Sequence, residues 1–211
     1  MIELHYYPGN ASLFPHMLLR ELEVPFVLRL VDRDAGAQTS PAYLKLNPNG
    51  KIPVLIDGEV VIYETAAIAL YLTDTYPQKG LSPPPGTPQR ADYYRWMVHL
   101  SNTPQAEFRA WFYPHEFTTD PDGVAGVKTA TGLRLSDVFG RIEGLLGAGP
   151  WLLGERFSAA DLYLLMMTRW GRTLPNPIRD LPNLGAHAAR VLARPAVAAT
   201  FKAEGLEAPF V

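Results

Sequence analysis

Hydrophobic and polar positions follow two different patterns along this chain, and the change between them falls near residue 80. Before that point, short apolar segments typical of strands lie between amphipathic segments typical of helices. After it, apolar residues recur at helical spacing, without a convincing strand pattern. The chain is therefore predicted to fold as an α/β part followed by an all-helical part.

Local signals set the bounds of the elements in the first part. A turn at Pro8-Gly9-Asn10 ends the first apolar segment, Asp57-Gly58 joins two strands as a hairpin, and Pro77 ends the last helix. A strand–helix–strand beginning predicts a parallel pair with a right-handed crossover. The predicted strands are 2–7, 26–31, 54–56 and 60–62, and the predicted helices are 12–23, 40–46 and 64–76.

The second part is predicted to be a bundle of helices. Pro104 should kink or interrupt the first long helix, because proline removes a helical hydrogen bond. Ser158 and Asp161 have the spacing of a capping box, which we interpret as structural. The predicted helices are 89–113, 124–146, 158–172, 183–193 and 196–204.

Proline also indicates where the chain divides. Five of the 20 prolines lie in the segment 77–88, which cannot carry regular helix or sheet hydrogen bonds. We therefore expect a first domain over residues 1–78, a proline-rich linker over 79–88 and a helical domain over 89–211.

Composition narrows the function classes. Cysteine is absent, which excludes a disulfide scaffold, a zinc–thiolate site and any thiol nucleophile of the protein itself. A net charge of −2 does not indicate nucleic-acid binding, and the five histidines lack metal-ligand spacing, so no metal is expected. The chain has neither a signal peptide nor an apolar run of the ~18 residues typical of a membrane span, so a cytoplasmic location is expected.

One candidate binding motif is the segment 47–55, where two turn signals lead into a strand. Pro53 occupies the strand entrance, a position compatible with its missing N–H. A cis bond before it would present the backbone N–H and C=O of Ile52 to a ligand. An ordinary trans turn proline is the alternative.

Two further candidates stand at predicted helix starts. Glu64 and Thr65 open a helix whose free N–H groups suit a ligand carboxylate, while Glu64 can hold an amine beside it. The segment 8–12 follows the first strand, and Ser12 can donate a hydrogen bond to an anion there. Plain helix capping is the alternative at both places.

Together with the proline-rich linker and the segment 157–161, these motifs resemble those of the cytosolic glutathione S-transferases. The resemblance implies a thioredoxin-like N-terminal domain, an all-helical C-terminal domain, glutathione as co-substrate and a homodimer. It also implies that Pro53 is cis and that Ile52 pairs with the cysteinyl part of glutathione. Glu64 and Thr65 then hold the γ-glutamyl head, and Lys51 contacts a glutathione carboxylate.

The catalytic position departs from the family pattern. The segment 6–12 is similar to the opening of the bacterial beta class, but Ala11 stands where that class has cysteine. The mixed-disulfide chemistry of that class is therefore not expected. The candidates for contact with the glutathione thiolate are Ser12, then Asn10, then Tyr6.

The resemblance implies transfer of glutathione to a small apolar electrophile, a detoxification reaction. A polar and aromatic cluster in the helical part is the candidate electrophile pocket, with bundle core as the alternative. A glutathione-dependent peroxidase or lyase and a non-catalytic glutathione-binding protein remain alternative functions. The candidate pocket residues are Gln105, Phe108, Arg109, Trp111, Phe112 and Tyr113.

Overall fold

A computed structural model describes residues 1–147 and 149–211. Packing divides these residues into two compact units, and the first boundary, after Ser82, falls inside the proline-rich segment. The two units are Met1–Ser82 with Ala193–Phe210, and Pro83–Leu192 with Val211.

The first unit contains a four-stranded mixed sheet in the order β2-β1-β3-β4. The central strand β1 pairs in parallel with β2 and antiparallel with β3, which forms a hairpin with β4. Leu4 lies opposite both Leu28 and Leu55 in this register. The strands are β1 (Ile2–Tyr6), β2 (Phe26–Leu30), β3 (Val54–Asp57) and β4 (Val60–Tyr63). The sequence prediction of this sheet is confirmed.

Three helices follow the predicted positions in the first part of the chain. They are α1 (Leu13–Leu22), α2 (Pro41–Leu44) and α3 (Thr65–Thr75). Leu13, Phe14 and Leu18 of α1 are fully buried, because nearly the whole of this helix is apolar. Six residues, 7–12, connect the end of β1 to the start of α1.

The second unit is helical in its regular elements. Its helices are α4 (Pro88–Asn102), α5 (Pro104–Phe112), α6 (Val124–Leu146), α7 (Ala159–Trp170) and α8 (Pro182–Leu192). The predicted helix 89–113 is two helices, because the chain leaves helical geometry at Thr103, immediately before Pro104. No helix among the described residues is long and apolar enough to span a membrane.

The capping box predicted at the start of α7 is confirmed. The Asp161 carboxylate accepts hydrogen bonds from the Ser158 amide at 2.8 Å and from the Leu152 amide at 2.9 Å. His187 of α8 lies 3.0 Å from the same carboxylate. This buried acid therefore supports the helix start and ties neighbouring segments of the second unit to it.

The last helix, α9 (Pro195–Ala203), packs within the first unit, where it contacts α1. Val197 and Phe201 are buried, and Arg194 binds the Glu21 carboxylate through two hydrogen bonds of 2.6 and 2.7 Å. This grouping differs from the expected division, which assigned residues 89–211 to one helical domain. The helical pattern of α9 identifies a buried face but not the element that covers it.

Candidate functional site

The turn before β3 is held by a buried asparagine. Asn47 donates from Nδ2 to the Lys51 carbonyl at 2.7 Å and accepts from the Asn49 amide at 3.0 Å. The Tyr43 hydroxyl donates to the same carbonyl at 2.9 Å. Burial raises the pKa of Tyr43 far above its ordinary value, so this donor keeps its proton. The Lys51 side chain is exposed and free to meet a ligand carboxylate.

The peptide bond between Ile52 and Pro53 is cis, as the resemblance implied. Ile52 precedes β3 and its side chain packs into the core beside Tyr43 and Val54. Its amide and carbonyl have no hydrogen-bond partner among the described residues. They therefore offer one donor and one acceptor to a ligand backbone.

Glu64 has an unusual backbone at the start of α3. Its φ of 74° lies in the region that favours glycine, which is a strained conformation for a side chain of this size. Its carbonyl accepts from the Ile68 amide, but its carboxylate does not cap the helix. Thr65 is the first helical residue, and its hydroxyl has no partner in the described part of the chain. The plain-cap interpretation does not account for either side chain.

The Ser12 hydroxyl is directed at the backbone of its own loop. It donates to the Tyr7 carbonyl at 3.1 Å and accepts from the Tyr7 amide at 3.2 Å. The residue is fully buried. Its hydroxyl proton is therefore already used within the protein.

Asn10 and Tyr6 differ from Ser12 in this respect. The Asn10 side chain accepts from the Ala11 amide at 2.6 Å through Oδ1, which leaves its NH₂ group without a partner among the described residues. Asn10 is partly exposed. Tyr6 ends β1, its ring lies edge-on to that of His16 at 6.3 Å, and its hydroxyl has no hydrogen bond to a described residue. Both side chains retain a donor for a ligand.

Sequence reasoning missed one acidic residue that contacts this loop. The Glu204 carboxylate, at the C-terminus of α9, accepts from the Gly9 amide at 2.8 Å and lies 2.8 Å from Nδ1 of His16. Gly9 and Glu204 are 195 positions apart in the chain. No local pattern signals a contact across that separation.

Several candidates for the electrophile pocket form an aromatic cluster in the second unit. Phe108 and Phe112 stack at 5.8 Å, and both lie edge-on to Trp170 at 5.7 and 6.0 Å. Phe108 is fully buried, whereas Phe112 is 42% exposed. Arg109 pairs with Glu116 and lies over the Tyr113 ring at 5.1 Å. Within this cluster, Phe108 therefore belongs to the core, whereas Phe112 presents part of its ring at the surface.

The remaining two candidates have other surroundings. Gln105 accepts a hydrogen bond from the buried Tyr163 hydroxyl. Trp111 donates to Thr173 at 3.2 Å and borders an open groove of about 460 Å³ that Lys128 also lines. Neither Phe108 nor Phe112 lines this groove.

Within the described residues, no group of three or more histidine, cysteine, aspartate or glutamate side chains is gathered closely enough to hold a metal ion. The candidate glutathione-binding groups described above are hydrogen-bonding and charged groups of the first unit. Their chemistry suits a ligand with a peptide backbone, a carboxylate and an amine.

Comparisons with known proteins identify the family. Residues 12–75 match the glutathione S-transferase N-terminal domain, and residues 130–195 match the C-terminal domain. The glutathione S-transferase GST-4.5 of Xanthomonas campestris is 31% identical over 205 residues, which cover 97% of this chain and 100% of that protein. This chain belongs to the glutathione S-transferase family.

Two solved structures of the family extend the comparison. A sphingomonad glutathione S-transferase complexed with glutathione is 32% identical, with a TM-score of 0.85 over 97% of this chain and 100% of that one. The bacterial beta-class transferase of Sphingomonas chungbukensis has the same identity, coverage and TM-score. The predicted family and fold are thereby confirmed.

Proposed function

We propose that this chain binds glutathione in its first unit and transfers it to a small apolar electrophile. The observation that carries the proposal is the start of α3, where Glu64 and Thr65 present uncommitted polar side chains at a helix N-terminus. A relative matched over 97% of the chain is described as a complex with glutathione. This correspondence supports the same ligand here.

Each polar part of glutathione has a partner in this proposal. The free N–H groups of α3 and the Thr65 hydroxyl bind the γ-glutamyl carboxylate, and Glu64 binds its amine. The amide and carbonyl of Ile52 pair with the cysteinyl backbone. Lys51, whose side chain is exposed, binds a carboxylate of the ligand.

The nucleophile is the thiolate of the ligand, since the protein has no cysteine. A free thiol has a pKa of about 8.5, and lowering it by one unit takes ~1.4 kcal/mol of preferential stabilisation. One charge-assisted hydrogen bond, worth roughly 1.5–3 kcal/mol, lowers it by one to two units. No general base on the protein is then required.

We assign this hydrogen bond to the NH₂ group of Asn10, in place of the Ser12 hydroxyl expected first from the sequence. Asn10 is partly exposed and keeps a free donor, whereas the Ser12 hydroxyl is buried against Tyr7. The Tyr6 hydroxyl is the second candidate. The backbone amide of Ser12, which has no described partner, adds a donor at the N-terminus of α1.

The aromatic cluster on α5 supports an apolar acceptor. Phe112 and Trp170 offer accessible ring surface against which a planar electrophile can pack. With an aryl halide, the thiolate forms the carbon–sulfur bond and the halide leaves with its electron pair. Phe108 is fully buried beneath these rings and supports them from the core.

The proposed reaction is tested by assaying conjugation of glutathione with a chlorodinitrobenzene. Appearance of the thioether with saturation in both substrates is the expected result. Retention on immobilised glutathione without turnover of varied electrophiles would contradict transfer and favour a binding protein. Turnover of a hydroperoxide in the absence of conjugation would instead indicate a peroxidase.

Two further expectations accompany the proposal. The resemblance implies a homodimer, and light scattering that gave a monomer mass at micromolar concentration would contradict it. A cytoplasmic location is proposed from the sequence and is tested by cell fractionation.

A further inference from the structure

Four groups form a continuous chain of hydrogen bonds beneath the loop that carries Asn10. The Arg20 guanidinium donates from Nε to Nε2 of His16 at 3.1 Å, and Nδ1 of His16 lies 2.8 Å from Oε1 of Glu204. The Gly9 amide donates to Oε2 of Glu204 at 2.8 Å. A guanidinium only donates, so Nε2 of His16 must accept and its Nδ1 proton goes to Glu204.

The Glu204 carboxylate in this series of hydrogen bonds is buried where a negative charge is energetically unfavourable. The side chains of His16 and Glu204 are both 0% exposed, and a buried carboxylate requires full compensation by donors. Glu204 also caps the C-terminus of α9, the end of a helix that disfavours negative charge. Its two oxygens are instead satisfied by donors at Gly9 and His16, which flank the segment 10–15.

The bond to Gly9 differs from the other ties of this loop. Ser12 with Tyr7, and Asn10 with Ala11, connect the loop to its own residues. Glu204 connects it to a separate helix within the first unit. Gly9 has a φ of 67°, so its backbone adopts a left-handed turn just before Asn10.

We propose that Glu204 is a positioning residue for thiolate activation, which holds the Gly9 amide and so fixes the Asn10 side chain next to it. The proposal rests on the function proposed above. His16 donates to the second carboxylate oxygen of Glu204, and the positively charged Arg20 donates in turn to His16. Glu204 touches neither glutathione nor electrophile in this account.

The chain offers a matched control for this role. Glu21 of α1 binds Arg194 at the start of α9 through two hydrogen bonds, and its side chain is 9% exposed. Glu21→Gln therefore weakens another carboxylate tie between the same two helices. Because the hydrogen bonds of the Glu21 carboxylate go to Arg194 and not to Gly9 or His16, the loop should keep its position in this variant.

The experiment compares Glu204→Gln with Glu21→Gln in the full-length protein. At saturating glutathione and a pH at least one unit below the pKa of the bound thiol, kcat for aryl halide conjugation is expected to fall about tenfold in Glu204→Gln, which corresponds to about one unit in that pKa. KM for the electrophile should change less than about twofold, since the acceptor pocket is untouched. Glu21→Gln should keep kcat within about twofold, even if its thermal midpoint falls.

A second readout does not depend on activity. Amide hydrogen exchange in the segment 9–13 should be faster in Glu204→Gln than in Glu21→Gln, because glutamine has one accepting oxygen and cannot accept from both the Gly9 amide and Nδ1 of His16. His16→Asn retains an N–H donor near the position of Nδ1 and should stay close to wild type in kcat. His16→Ala should show the same fall in kcat and the same faster exchange as Glu204→Gln. If Glu204→Gln does not fold, the comparison of His16→Asn with His16→Ala tests whether Glu204 positions the loop.

The proposal is overturned if folded Glu204→Gln matches Glu21→Gln in kcat and in exchange at 9–13. Equal loss of kcat in both variants would also overturn it, since the effect would then be general destabilisation. Absence of conjugation by the wild type would refute the proposed function instead. The exchange comparison would still decide whether Glu204 positions the loop.

Discussion

The Ser12 hydroxyl and the Tyr7 backbone form a reciprocal pair of hydrogen bonds, at 3.1 Å to the carbonyl and 3.2 Å from the amide. This pair closes the loop between β1 and α1 and occupies the hydroxyl proton. The sequence favoured Ser12 as the contact for the glutathione sulfur. The geometry favours a bracing role for its side chain and leaves Asn10 as the leading donor.

Ser12→Ala should therefore act on stability more than on chemistry. Removal of the hydroxyl leaves the Tyr7 amide without its partner, although the Tyr7 carbonyl keeps its hydrogen bond from the Asn10 amide at 3.1 Å. The expected cost is about 1–3 kcal/mol in free energy of unfolding. Urea denaturation measures this loss, and kcat for conjugation should stay within about threefold of wild type. A large fall in kcat with unchanged stability would restore Ser12 as the thiolate contact.

Asn10→Asp should separate the role of the Asn10 NH₂ group as a donor to the thiolate from the role of its Oδ1 in holding the loop. The aspartate keeps an oxygen for the Ala11 amide, which Asn10 binds at 2.6 Å, but replaces the NH₂ donor with negative charge. Loss of one charge-assisted hydrogen bond, about 1.5–3 kcal/mol, corresponds to a fall in kcat/KM of roughly 10- to 150-fold. Steady-state kinetics at fixed pH checks this, and near-normal kcat/KM would count against an Asn10 donor.

The elements of the fold were predictable because their signals are local. The hairpin at Asp57-Gly58, the capping box at Ser158 and the break at Pro104 each depend on a few adjacent residues. Helical and strand periodicity supplied the rest, and most bounds agree within one or two residues. The resemblance then ordered these elements into a known fold.

The site was less predictable because side-chain direction depends on tertiary packing. Sequence alone did not reveal that the Ser12 hydroxyl points at Tyr7 or that Glu64 adopts a left-handed backbone. The contact between Gly9 and Glu204 depends on how α9 packs against α1, across 195 positions. The spacing of residues within a local motif does not predict contacts between residues so far apart in the sequence.

Thr65→Val tests the binding of the γ-glutamyl carboxylate. Valine keeps the shape of threonine but removes a hydroxyl that has no partner among the described protein residues. We expect Kd for glutathione to rise roughly 10- to 150-fold, which corresponds to the loss of one hydrogen bond to a charged group, about 1.5–3 kcal/mol. Calorimetric titration measures the change in Kd, and kcat at saturating glutathione should equal that of the wild type. Unchanged affinity would exclude Thr65 from the binding site.

Acid sensitivity should depend in part on His5. Burial lowers its pKa in the folded protein below the ordinary value of about 6.5, so the unfolded chain binds a proton more readily. Stability associated with His5 is therefore lost as the pH falls through about 6.5 toward the lower folded pKa. His5→Gln should lose less stability than wild type between neutral pH and about pH 5.5 in urea denaturation.

Burial also lowers the pKa of His99 in the second unit, so His5→Gln should retain part of the slope. Identical slopes in wild type and His5→Gln would contradict the assignment.

The most direct test of the account is a titration of the glutathione thiol bound to wild type and to Asn10→Ala, followed by thiolate absorbance in the ultraviolet. The account predicts that wild type lowers the bound thiol pKa by about one to two units from ~8.5, and that Asn10→Ala moves it back toward the free value. An unshifted pKa in wild type would contradict thiolate activation. An equally lowered pKa in both proteins would contradict the role of Asn10.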